Sequence, residues 1–245
     1  MRQIFLIACW LLMAVSSQAA TTLYFHNTAS PIGRVVELSP PGGCIQNSHD
    51  WTYKQLNITS PPTLQAQTTY THTPTSTAPS SNSYFPTQTT SGGQYLVFLS
   101  GPISAAITIG TGSVSISLCC AESATALNAF AGVEIRRWDG TTVSGTGLRE
   151  LIVNMDADSA ECPTTMNART KTQTPVNGID FKIGDRIAAF LKIRPNGTFG
   201  GDSSRTLTFG IDGDPVTVCD SHITFTENIS FSTDINNAGT QVQVP

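Results

Sequence analysis

Residues 113–120 alternate strictly: Val114, Ile116, Leu118 and Cys120 share one face, while Ser113, Ser115, Ser117 and Cys119 share the other. One apolar and one polar face at period two is the pattern of a half-buried strand. The same rhythm predicts strands over 22–27, 34–38, 94–99, 132–138, 148–154, 179–183, 186–194, 207–211 and 222–231. Turn chemistry separates several of them: Asp139-Gly140, Gly184-Asp185, Pro195-Asn196-Gly197 and Asp212-Gly213-Asp214-Pro215. In the last strand Ile223, Phe225, Glu227, Ile229 and Phe231 fall in phase. Glu227 in an apolar row marks a place where the strand bends, leaves the core or carries a bulge.

No segment after the amino-terminal residues sustains a helical period, and threonine, which suits pleated surfaces, occurs 34 times. These features predict an all-β protein, an antiparallel jelly-roll or Greek-key β-sandwich. A parallel β-helix is the rival, but no short fixed repeat supports it. Residues 55–121 contain no Asp, Glu, Lys or Arg. The first part of that run, 55–93, is rich in Thr, Ser, Pro and Gln and reads as a long loop or extended arm. The expected organisation is a signal peptide (1–20), amino-terminal strands (21–54), the arm (55–93), a sandwich core (94–235) and a tail (236–245).

The leader is read from Arg2, the apolar run 4–15 and the small residues before Ala19 and Ala20. That run is too short for a bilayer span, so the chain is expected to be secreted or at a cell surface, with no membrane span after cleavage. Loss of Arg2 leaves a net charge of −5 with no basic cluster, which argues against a nucleic-acid partner. Five cysteines follow the leader: Cys44, Cys119, Cys120, Cys162 and Cys219. Two disulfides and one leftover thiol are expected in an oxidising compartment, in an arrangement that spacing alone leaves open. Cys119 and Cys120 point to opposite faces of a strand and so should serve different partners.

No nucleophile elbow, zinc-protease helix motif, phosphate loop or dinucleotide fingerprint occurs, so the chain is expected not to be an enzyme. Asp156, Asp158 and Glu161 lie together on a loop of the kind that supplies oxygen ligands to calcium, and solvated turn acids are the plainer reading. Trp51, Tyr53 and Trp138 are candidate sugar-binding aromatics, with core or rim packing as the alternative for Trp138.

Three short segments carry a family resemblance: Leu23-Tyr-Phe-His-Asn27, Phe181-Lys-Ile-Gly-Asp-Arg-Ile187 and Asp220-Ser-His-Ile-Thr-Phe225. Together they resemble jelly-roll proteins found among phage virion and tail-associated proteins and other secreted or surface β-sandwiches. The resemblance implies structural or carbohydrate-facing roles and no catalytic residues. The expected function is therefore an extracellular, non-catalytic subunit of a surface or filament assembly, partnered by itself or another surface protein. The alternative is a carbohydrate-binding or adhesive module stabilised by calcium, with glycans as partners.

Overall fold

A computed structural model describes residues 20–37, 49–57, 68–72, 95–139, 148–156, 160–195, 206–211 and 219–232. Residues 1–19 of the expected leader, Cys44, Asp158 and the carboxy-terminal tail lie outside these residues. Thirteen strands are described: β1 (Thr21–Glu37), β2 (His49–Asn57), β3 (Thr68–His72), β4 (Tyr95–Ser100), β5 (Ile107–Ile109), β6 (Val114–Glu122), β7 (Ala129–Trp138), β8 (Leu148–Asp156), β9 (Asn167–Gln173), β10 (Ile179–Phe181), β11 (Arg186–Pro195), β12 (Leu207–Ile211) and β13 (His222–Phe225). One 3-10 turn, Thr125–Leu127, is the only helical element among the described residues. The protein is thus all-β.

Eleven strands share one sheet in the order β3-β12-β6-β13-β1-β2-β4-β11-β7-β8, with β9 paired to β6, while β5 and β10 form a two-stranded sheet. Strand β6 sits at the junction. One of its edges pairs with β13 over Val114–Ser117 and then with β12 over Cys119–Glu122; the other pairs with β9. Its alternation places Val114, Ile116, Leu118 and Cys120 in the core, as the pattern requires. Ala131, Val133 and Ile135 of β7 and Ile187, Ala189 and Leu191 of β11 join the same cluster from the far end of the sheet. The sheet therefore folds over on itself and encloses one core.

Five phenylalanines, Phe25, Phe98, Phe181, Phe209 and Phe225, are fully buried there. Burying each is worth roughly 1.5–3 kcal/mol. Phe25 and Phe98 meet edge to face, with centroids 4.7 Å apart.

Four features depart from the sequence expectation. Pairing is not purely antiparallel, because β2 runs parallel to β4 from Trp51↔Tyr95 to Leu56↔Ser100. Residues 34–38 do not start a separate strand: through Glu37 they continue β1, whose register shifts between His26, Ala29 and Arg34 let one long strand follow β2. The 55–93 stretch contains the end of β2 and all of β3, whose backbone is satisfied by β12 in the register Tyr70↔Phe209. Threonine-rich residues read as an arm by composition can hold a strand when a neighbour's edge is open.

The fourth is Ile183, 72% exposed instead of core-facing. Strand β10 stops at Phe181 because Gly184 adopts φ +93° and the Asp185 carboxylate accepts the Lys182 backbone N–H at 2.8 Å. The Gly-Asp-Arg turn is then a structural clamp. Asp185 also accepts from Arg137 Nη1 at 3.1 Å, and Arg186 Nη1 donates to the Ser100 carbonyl at 2.8 Å.

Glu227 marks a strand end. Strand β13 finishes at Phe225, and the chain bends so that Glu227 Oε1 accepts from the backbone N–H groups of Gly110, Thr111 and Gly112 and from the Thr111 hydroxyl, at 2.8–3.1 Å. A Cβ at Gly112 would lie 1.9 Å from Thr226 Oγ1, so any larger residue there would displace the Thr226 side chain beside the cradle.

Candidate functional site

The last residue of β6, Glu122, shares the inward phase of Val114 to Cys120 and is 3% exposed. The chain around it is held from three directions. Its backbone N–H donates to the Pro163 carbonyl at 2.8 Å, and Cys162 N–H donates to the Ala129 carbonyl at 2.9 Å. The Cys120–Cys162 disulfide ties the same loop to β6, and Ser123 and Thr206 exchange two hydrogen bonds across the β12 entry. Asn128, left-handed at φ 56°, turns the chain from the 3-10 turn into β7.

Inside this corner Glu122 accepts a hydrogen bond from the Ala129 backbone, while its Oε2 has no hydrogen-bond partner among the described residues. Burial pushes the carboxyl up from 4.5 to about 7; the Ala129 bond opposes this and the charge of half-buried Glu161 adds to it. A carboxyl balanced near neutrality can give up or take a proton under ordinary conditions.

Of the acids expected to ligate calcium, Glu161 is the one with a described side chain, and its charge acts on this corner. Its backbone carbonyl is held by Arg169 Nε at 2.8 Å. Asp156 ends β8 opposite Gly132, its side chain outside the description, as is the whole of Asp158. Among the described residues no group of three or more His, Cys, Asp or Glu side chains is placed to hold a metal ion.

Trp51 and Tyr53 are alternate residues of β2, described only in backbone, so they lie on one face of that strand. Trp138 ends β7 at 5% exposure, with the Arg186 guanidinium carbon 6.0 Å from its ring centroid. Of the cysteines, Cys119 pairs with Cys219 and Cys120 with Cys162. The opposite-face argument for different partners thus holds.

Glu122 was not among the residues singled out from sequence. Its signal was available: it is the first charged residue after the uncharged run, and its even number places it in phase with the apolar face of β6. His222 of β13 donates from Nδ1 to the Asp220 carbonyl at 3.1 Å and meets the Tyr24 ring at a tilt; burial lowers its pKa from 6.5. Ser221 beside it is committed to backbone, accepting from Cys119 N–H and donating to the Gly210 carbonyl.

No protein-family model matches the chain, and no curated protein matches it in sequence. Solved structures do. An aminopeptidase from a marine sediment archaeon of the Thaumarchaeota is 12% identical, with a TM-score of 0.51 over 85% of this chain and 36% of its own. An α-amino acid ester hydrolase is 13% identical, with a TM-score of 0.49 over 86% of this chain and 36% of its own. A CocE/NonD family hydrolase from Staphylococcus aureus follows at 10% identity and a TM-score of 0.43, over 88% of this chain and 37% of its own. The chain therefore spans little more than a third of the length of these proteins.

The aminopeptidase likeness shows a shared fold, and it corrects two expectations. A non-catalytic subunit of a surface or filament assembly, with its adhesive alternative, gives way to a fold contained in a hydrolase. The expectation that the chain is not an enzyme is overturned by the same likeness, which is one of fold over 36% of the aminopeptidase.

Proposed function

We propose that this chain is an exported part of a hydrolytic enzyme acting on peptide bonds beside a free amino terminus, folded as a jelly-roll β-sandwich. The observation that carries the reading is the fold shared with the archaeal aminopeptidase over 85% of this chain. Because that match covers 36% of the aminopeptidase, the reading concerns the share of such an enzyme that this fold supplies. Residue roles are assigned from this chain alone. Glu122 supports the reading as a carboxyl able to exchange a proton at neutral pH, with Glu161 as a neighbouring charge. The leader pattern at 1–20 and the two disulfides support export.

The protein, purified from its native source without denaturation, is assayed against aminoacyl p-nitroanilides and short peptides. Amino-terminal hydrolysis should co-elute with the chain through two unrelated columns and be depleted by an antibody against it. Its pH profile should carry a limb near pH 7 that Glu122→Gln removes. Activity that separates from the chain, or no hydrolysis of any aminoacyl amide, overturns the reading. Hydrolysis with an unchanged profile in the variant keeps the enzyme and removes Glu122 from its machinery.

A further inference from the structure

The segment after β13 is pinned at every second residue. Glu227 is buried in its cradle of donors, Ile229 is buried with its N–H donating to Thr21 Oγ1 at 2.7 Å, and Phe231 bridges to Ile103. The residues between them, Asn228 and Ser230, are exposed. Burial alternates along 227–231, so the Asn228 amide and the Ser230 hydroxyl are both left to solvent.

Asn228-Ile229-Ser230 also has the Asn-x-Ser spacing of an acceptor for amide-linked glycosylation, with no proline between. We propose that Asn228 is such an acceptor, its donor a lipid-linked oligosaccharide of the secretory pathway. In the transfer, Asn228 Nδ2 forms a bond to the sugar's C1 while the bond from C1 to the lipid diphosphate breaks. The diphosphate carries away the electron pair, a base takes the amide proton, and nothing is oxidised or reduced.

Transfer precedes folding, so the folded chain has to leave room for a bulky sugar. It does at Asn228, where the backbone is fixed by its neighbours and the side chain is not needed by the core. Two further Asn-x-Thr triplets, at Asn57 and Asn196, carry no such argument, since the first is described only in backbone and the second lies outside the described residues. The proposal rests on export and not on the hydrolase reading.

The full chain, translated with endoplasmic-reticulum microsomes, is treated with peptide N-glycosidase in heavy-oxygen water, and the peptide containing Asn228 is mapped by mass spectrometry. Conversion of Asn228 to labelled Asp is expected. It should vanish in Ser230→Ala and persist in Ser230→Thr, which keeps the hydroxyl. An unlabelled Asn228 in translocated, protease-protected chain overturns the proposal, as does label that survives Ser230→Ala.

Discussion

Glu122 and Glu227 are the same residue type, each within the inward phase of an apolar strand pattern, and they are buried to 3% and 7% exposure. Their proton affinities move in opposite directions. Burial raises the Glu227 carboxyl, but the backbone N–H groups of Gly112, Glu227 itself and Thr111, with the Thr111 hydroxyl, outweigh it and hold it below 4.5. Glu122 has one backbone donor and a neighbouring carboxylate, so burial prevails and lifts it to about 7. Depth alone does not decide the charge of a buried acid; the number of donors aimed at it does.

Consequences for stability follow in opposite senses. Glu227, with its folded pKa depressed, contributes stability that is present above 4.5 and lost as the pH falls through its folded value. Glu122, with its folded pKa raised, contributes stability that is full below 4.5 and lost as the pH rises through about 7. His222, buried and lowered from 6.5, adds a loss on the acid side that begins below 6.5.

The largest test of the contrast removes the clamp over Glu122. Replacing Cys120 and Cys162 together by alanine opens a loop spanning 42 residues, which costs about 4 kcal/mol by chain entropy. In that variant the Glu122 carboxyl, followed by NMR, should titrate closer to 4.5 as water enters the corner. A value still near 7 would show that the disulfide does not keep the site dry.

Glu227→Leu should cost about 3 kcal/mol in urea unfolding at pH 7, because the amides at 110–112 lose a charged acceptor. Glu227→Gln should lose less, and a leucine variant of unchanged stability breaks the cradle argument. Glu122→Gln should be more stable than the parent by about 1–3 kcal/mol at pH 8, and that pH-dependent gain should vanish below pH 4.5. A difference independent of pH would mean that burial does not shift the Glu122 carboxyl between the folded and unfolded chain. The smallest effect is expected for His222→Gln, which should flatten only the stability loss that starts below pH 6.5; an unaltered acid limb would assign that loss elsewhere.

The all-β class and most strands were legible because period two is a local property: β12 falls at 207–211 as expected, and β6 begins within a residue of its expected start. Strand β9, reading Asn-Ala-Arg-Thr-Lys-Thr-Gln, was missed because it is a largely exposed edge with no apolar face to alternate. Strand β3 and the parallel β2–β4 pair were missed because they exist through distant partners, which no window of sequence displays. At the site, Glu227 was legible as an anomaly and its cradle was not, since the three donors lie more than a hundred residues upstream. Glu122 was legible by parity alone, hidden by its position at the end of its row.

The vicinal cysteines of β6 reach different partners, Cys219 and Cys162, from opposite sides of one ribbon. Slippage of that ribbon by a single place against its neighbours would turn each thiol away from its mate. Oxidation therefore proofreads the alignment: both bridges can close only on a correctly threaded strand, and once closed they keep a covalent memory of it.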